Sequence, residues 1–110
     1  MRISSGVIAL HEIQEVAARL GEAAHAERVI LFGSYARGDA GETSDVDLLI
    51  VAESNLPRYK RSRVLYQTLR PHPFGMDLLV YTHGEIEQAA QSPASFVATV
   101  LREGKTVYAR

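Results

Sequence analysis

Three short apolar runs stand out along the chain, each with little polar alternation. They are Val29-Ile30-Leu31-Phe32, Val46 to Val51, and Met76 to Tyr81. Such runs suit strands buried on both faces. Between them, apolar residues recur at threes and fours. From about Val7 to Ala24 the positions Ile8, Ile13, Val16, Ala17 and Leu20 make one face of an amphipathic helix, with Glu12, Glu15, Arg19 and Glu22 on the wet face. Ser4 or Ser5 is placed to cap its start, and Gly21 weakens its end.

The first strand, 27–32, runs into Gly33-Ser34, a glycine turn with Ser34 as helix N-cap; Tyr35-Ala36-Arg37 makes about one helical turn, which Gly38 stops. A polar loop, 39–43, leads to the second strand, 45–51. A helix over Arg58 to Arg70 ends at Pro71-His72-Pro73, because proline cannot continue it. After the third strand, Thr82-His83-Gly84-Glu85 reads as a capping box opening a helix to about Gln91. Ser92-Pro93 reads as a further helix start, followed by Phe96, Val97, Val100 and Leu101 and stopped by Gly104 as a C′ residue. Lys105 to Tyr108 suits a short edge strand. The alternation of helices and apolar strands predicts an α/β (α+β) fold, a small mixed β-sheet flanked by helices.

With 110 residues and 46% hydrophobic content, the chain is expected to form a single domain over 1–110, with little room for a second, substrate-holding domain. A net charge of −1 gives no global field toward nucleic acid or an anionic membrane. The chain has no cysteine, which excludes thiol nucleophiles and fits a reducing cytosol, and no apolar run reaches the roughly 20 residues that span a bilayer. The N-terminal residues do not read as a signal peptide, so a soluble cytoplasmic protein is expected.

The chemistry gathers at the strand mouths. Asp45 and Asp47 are two apart, so in a strand both side chains share one face. At a separation of about 4 Å and an effective dielectric near 20, two such charges repel by roughly 4 kcal/mol. Either one carboxyl is protonated or a cation sits between them, and hard oxygen ligands of this kind suit Mg²⁺. The bland reading makes Asp45 a turn cap and Asp47 a solvated edge residue. Asp77 opens the third strand; if the second and third strands are neighbours with aligned starts, three carboxylates converge, and Asp77 completes a metal site or takes a proton from an attacking hydroxyl. Gly33 lets a ligand approach the backbone closely, Ser34 lies where free helix-start amides point outward, and Arg37 lies one turn on. An ordinary turn, with Arg37 paired to Asp39 or Glu42, is the alternative. The Gly-Lys-Ser/Thr ending of a Walker loop is missing.

Gly33-Ser34-Tyr35-Ala36-Arg37-Gly38, then Ser44-Asp45-Val46-Asp47-Leu48-Leu49, then Met76-Asp77-Leu78 together resemble the DNA polymerase β-type nucleotidyltransferase superfamily. The chain is most similar to its minimal nucleotidyltransferases, small proteins made of little more than the catalytic core. The resemblance implies that Gly33, Ser34 and Arg37, with Ser44, bind a nucleoside triphosphate. It implies that Asp45, Asp47 and Asp77 hold two Mg²⁺ ions. The implied reaction transfers a nucleoside monophosphate, AMP from ATP, to a hydroxyl and releases pyrophosphate. Minimal members are commonly encoded beside an all-helical HEPN protein, often a ribonuclease toxin, and some act as antitoxins by AMPylating a tyrosine of that partner. That reading leads, because a short chain needs its acceptor supplied from outside. The alternatives are an antitoxin that neutralises its HEPN partner by contact alone and a small-molecule nucleotidyltransferase assembled as a homo- or hetero-oligomer.

The four histidines lack metal-ligand spacing and read as surface or capping residues. Arg58, Lys60, Arg61 and Arg63 read as a solvated basic face, with direct nucleic-acid binding disfavoured because only Tyr59 is interleaved as a stacking platform. The Phe96, Val97, Val100, Leu101 stripe reads as core; any part left exposed would mark a partner surface.

Overall fold

A computed structural model describes residues 7–110. The elements run α1 (Leu10–Ala24), β1 (Arg28–Phe32), α2 (Ser34–Arg37), β2 (Val46–Val51), α3 (Arg58–Thr68), β3 (Met76–Tyr81), α4 (His83–Ala90), α5 (Phe96–Glu103) and β4 (Lys105–Ala109). The four strands form one mixed sheet in the order β3-β2-β1-β4. β1 is antiparallel to both β2 and β4, while β2 and β3 run parallel with α3 as the crossover.

Strand alternation divides the apolar residues between the two sheet faces. Val29, Leu31, Leu48, Ile50, Leu78 and Val80 pack with Ile13, Val16 and Leu20 of α1 and with Leu65 and Leu69 of the α3 region. Ile30, Leu49 and Val51 pack on the opposite face with Ile86 of α4 and Val97 and Val100 of α5. The central strands are therefore apolar at nearly every position because both faces are covered, as the unbroken runs predict.

Several boundaries differ from the sequence expectation. α1 starts at Leu10, with Ala9 as its N-cap and no side-chain cap; Ser4 and Ser5 lie outside the described residues. Gly21 does not fray α1. It is buried there because the Tyr108 ring occupies the space a Cβ would need. α2 is capped by Gly33 rather than Ser34, which is its first helical residue. α5 begins three residues later than Ser92-Pro93 suggests. Ser95 is its N-cap, the hydroxyl accepting from Ala98 N–H at 3.0 Å and donating to the Ala89 carbonyl at 2.7 Å. Gly104 ends α5 in an extended conformation, φ −77° and ψ 165°, not the left-handed one of a C′ glycine. The capping box of α4 forms as expected, with Thr82 and Glu85 each meeting the other's backbone N–H.

α3 is not a plain solvated helix. The Arg61 side chain is 8% exposed, and its guanidinium forks onto Glu85, Nη1–Oε1 at 2.6 Å and Nη2–Oε2 at 3.2 Å. Arg61 also donates to the Val80 carbonyl at 3.2 Å. Tyr66 Oη accepts from Leu78 N–H at 2.9 Å and donates to the Met76 carbonyl at 3.2 Å. Carbonyls 75 and 81 face β2, so the even-numbered groups of β3 form its outer edge, and α3 side chains occupy that edge. An uncovered edge strand would invite pairing with another chain. Tyr66→Phe keeps the ring but leaves both backbone groups without this partner. We expect a loss of about 1–2 kcal/mol, read as a lower urea midpoint at unchanged slope.

The Arg61 fork, followed by the Thr82 backbone bond, pulls the Glu85 carboxyl from its ordinary 4.5 down to about 2. A carboxyl with a depressed folded-state pKa contributes stability that is complete above pH 4.5 and fades as the pH falls toward 2. Glu85→Gln is therefore expected to flatten the acid limb of thermal stability across that window, measured by melting at successive pH values.

Candidate active site

The parallel pairing of β2 and β3 sets Asp47 directly beside Asp77, and on its other flank Asp47 pairs with Phe32 of β1. By alternation, Asp47 shares a sheet face with Leu49 and Val51, and Asp77 with Leu79 and Tyr81. Both acids therefore stand on the face that carries α4 and α5, at the mouths of their strands. Asp47 is half-buried and Asp77 exposed. Asp45 lies one residue before β2, and its Oδ1 sits where a Cβ on Gly75 would be.

The glycine turn meets the acids directly. Gly33 has φ +75° and ψ −154°, a region that is essentially glycine-only. A Cβ there would collide with Oδ2 of Asp47. The bend after β1 and the carboxylate of β2 are thus in contact, with no side chain between them. Burial pushes the Asp47 carboxyl above its ordinary range, the neighbouring Asp77 and Asp45 charges push it further, and Arg37 partly opposes them.

The other expected site residues are placed as follows. Ser34 opens α2 and is partly buried. Arg37 is exposed and holds Asp39, Nε–Oδ2 at 3.4 Å, while still acting on the Asp47 charge; the bland pairing and proximity to the acids both hold. Ser44 Oγ accepts from Gly41 N–H at 3.0 Å, so its hydroxyl shapes the loop before the acids. Among the described residues no three acidic or histidine side chains form a ready-made metal cage. The donor chemistry still suits a hard cation: two carboxyl groups stand side by side, the pKa of one of them raised. Mg²⁺ is commonly held by one or two carboxylates with substrate phosphates completing the shell.

Sequence reasoning missed the aromatic flank. Phe96 is 48% exposed at the start of α5 and meets the Phe32 ring edge-on at 5.5 Å between centroids. Phe32 read only as strand core. Its position as the last residue before Gly33 was the available signal.

Residues 12–102 match the family model described as a nucleotidyltransferase domain. Two candidate protein adenylyltransferases of Methanocaldococcus jannaschii are similar to this chain. One is 43% identical over 54 residues, 49% of this chain and 54% of the relative. The other is 63% identical over 35 residues, 32% of this chain and 23% of the relative. The matched stretch thus spans about half or less of these relatives' length. The fold resembles the crystal structure of a candidate nucleotidyltransferase from Sulfolobus solfataricus, with a TM-score of 0.63 and 23% identity over 92% of this chain and 80% of that one. It also resembles a toxin–antitoxin structure determined with AMP-PNP, with a TM-score of 0.56 and 22% identity over 88% of this chain and 73% of that one.

Proposed function

Because this chain belongs to the nucleotidyltransferase domain family, we propose that it transfers AMP from ATP to a tyrosine hydroxyl of an HEPN-type partner protein, as the antitoxin of a toxin–antitoxin pair. The observation that carries this reading is the in-register pair Asp47 and Asp77 with Asp47 lying against the Gly33 bend. A polyphosphate held at that bend would lie beside the carboxylates, where a nucleophile and a leaving group can be aligned.

Gly33 and Ser34 offer backbone and hydroxyl donors to the phosphates, Arg37 neutralises their charge, and Ser44 holds the loop that positions Asp45. Asp45, Asp47 and Asp77 would hold Mg²⁺, which when bound supplies positive charge at the phosphates and to the crowded acids. The acceptor oxygen forms a bond to the α-phosphorus, the α–β anhydride bond breaks, and pyrophosphate leaves with that electron pair. Asp77, the exposed acid, takes the acceptor's proton. The candidate adenylyltransferase relatives and the toxin–antitoxin neighbour support a protein acceptor. Among the described residues no helix is long and apolar enough to cross a membrane.

The test uses the full chain, the helical protein encoded beside it, Mg²⁺ and ATP labelled at the α-phosphate. Label should appear on a tyrosine of the partner and disappear with Asp77→Asn. Neutralisation of the partner that persists in that variant, with no label in either protein, would instead establish inhibition by contact.

A further inference from the structure

On the sheet face that carries Asp47 and Asp77 lies a cavity of about 430 Å³. It is walled by Tyr81, by Arg58 and Glu85, by Gln88 near the end of α4, and by Ser95 and Phe96 at the start of α5. Phe96 joins this cavity to the acids, since its ring rests on Phe32, the register partner of Asp47. Tyr81 lies four residues beyond Asp77 on the same strand, about 13 Å away at strand rise. That span is of the order of one nucleoside monophosphate.

The wall chemistry fits a flat, nitrogen-rich ring. Arg58 lies over the Tyr81 ring at 4.4 Å, and this stacked pair forms one side. The half-exposed face of Phe96 forms another. Among the described residues the Gln88 side chain makes no hydrogen bond, and it stands exposed at the rim. A glutamine amide presents one acceptor and one donor in a plane, the complement of the adenine N6 amine and N7. Guanine offers two acceptors along that edge, which the amide cannot match.

We propose that this cavity holds the base of the nucleotide, with Phe96 stacking on the ring and Gln88 selecting a 6-aminopurine. The inference rests on the proposed nucleotidyl transfer from ATP and adds the residues that would read its base. The acceptor's side chain is the competing occupant. It is disfavoured because the free polar group is an amide suited to a purine edge, and because Arg58 is already engaged by Glu85 and Tyr81.

Titration calorimetry of the full chain with Mg²⁺ and ATP, GTP or inorganic tripolyphosphate tests it. ATP should bind roughly tenfold more tightly than GTP, and Gln88→Ala should erase that difference. Gln88→Arg should turn the preference toward GTP, because a guanidinium matches O6 and N7 of guanine. Phe96→Ala should weaken ATP roughly tenfold while leaving tripolyphosphate unchanged. Phe96→Leu, which keeps apolar packing against Phe32, controls for unfolding and should also weaken ATP. Equal binding of ATP and tripolyphosphate, unaltered by either substitution, would overturn the base site while leaving the phosphate site intact. Unchanged ATP binding with a raised KM for the protein acceptor would assign the cavity to the acceptor and also overturn the inference. Failure of both ATP and tripolyphosphate to bind would remove the nucleotidyl-transfer reading beneath it.

Discussion

Gly33→Ala is expected to abolish nucleotidyl transfer and to destabilise the fold together. The backbone at Gly33, φ +75° and ψ −154°, costs an L-residue about 1–3 kcal/mol before any contact is considered. The new methyl would also meet Oδ2 of Asp47. Relief requires either the bend or the carboxylate to move, and each is a proposed element of the site. Because the mouth of β2 is held between β1 and β3, the carboxylate rotates more readily than the strand shifts. The melting temperature should fall, and label transfer from ATP should drop below detection even where most of the variant remains folded. Gly38→Ala, at a φ of +85° with no neighbouring atom in its way, is the informative comparison. It should lose less stability, because its left-handed conformation, ψ 14°, is one that other residues visit, as His25 does here, and it should retain far more transfer. Similar losses of transfer in both variants would show that strain, rather than contact with Asp47, is responsible.

Asp47→Asn is expected to separate activity from stability. Transfer should fall roughly a thousandfold, the scale of several kcal/mol of charge stabilisation at a phosphoryl centre. In divalent-free buffer the same variant should be more stable than the parent at neutral pH. Burial and the neighbouring Asp77 and Asp45 raise the folded-state pKa of Asp47. A carboxyl with a raised folded-state pKa is penalised when ionised, so its cost to stability grows as the pH rises from the ordinary 3.8 through the raised value, and persists above it. Asparagine carries no such charge. Adding Mg²⁺ should raise the melting temperature of the parent and leave that of Asp47→Asn nearly unchanged. Thermal melts with EDTA and with Mg²⁺ check both halves. A parent insensitive to Mg²⁺, and no less stable than the variant in EDTA, would remove the cation site from the account.

Much of the fold was legible in local pattern. The three apolar runs became β1, β2 and β3 because strands covered on both faces need apolar residues in both alternations. The capping box of α4 was readable because its two side chains and two backbone donors lie within four residues. The start of α5 was misread for the opposite reason. Ser92-Pro93 carries the stronger local signal, serine followed by proline, whereas the Ala89 carbonyl that engages Ser95 is a contact between neighbouring elements. Arg61 sits in a basic run that reads as a wet face, since nothing local indicates that Glu85, twenty-four residues on, closes over it.

The residue types and spacings by themselves determined which groups could do chemistry: a glycine-serine turn after one buried strand and acids at the mouths of two others. Those features are local, set by strand period, glycine's missing Cβ and the ends of apolar runs. Only the tertiary structure decided that β2 and β3 pair in parallel and in register, that Asp47 rather than Asp45 lies against Gly33, and that Phe96 returns beside Phe32. Strand order and register come from how two apolar faces are jointly covered by helices distant in sequence, a global packing condition that no short window of residues contains.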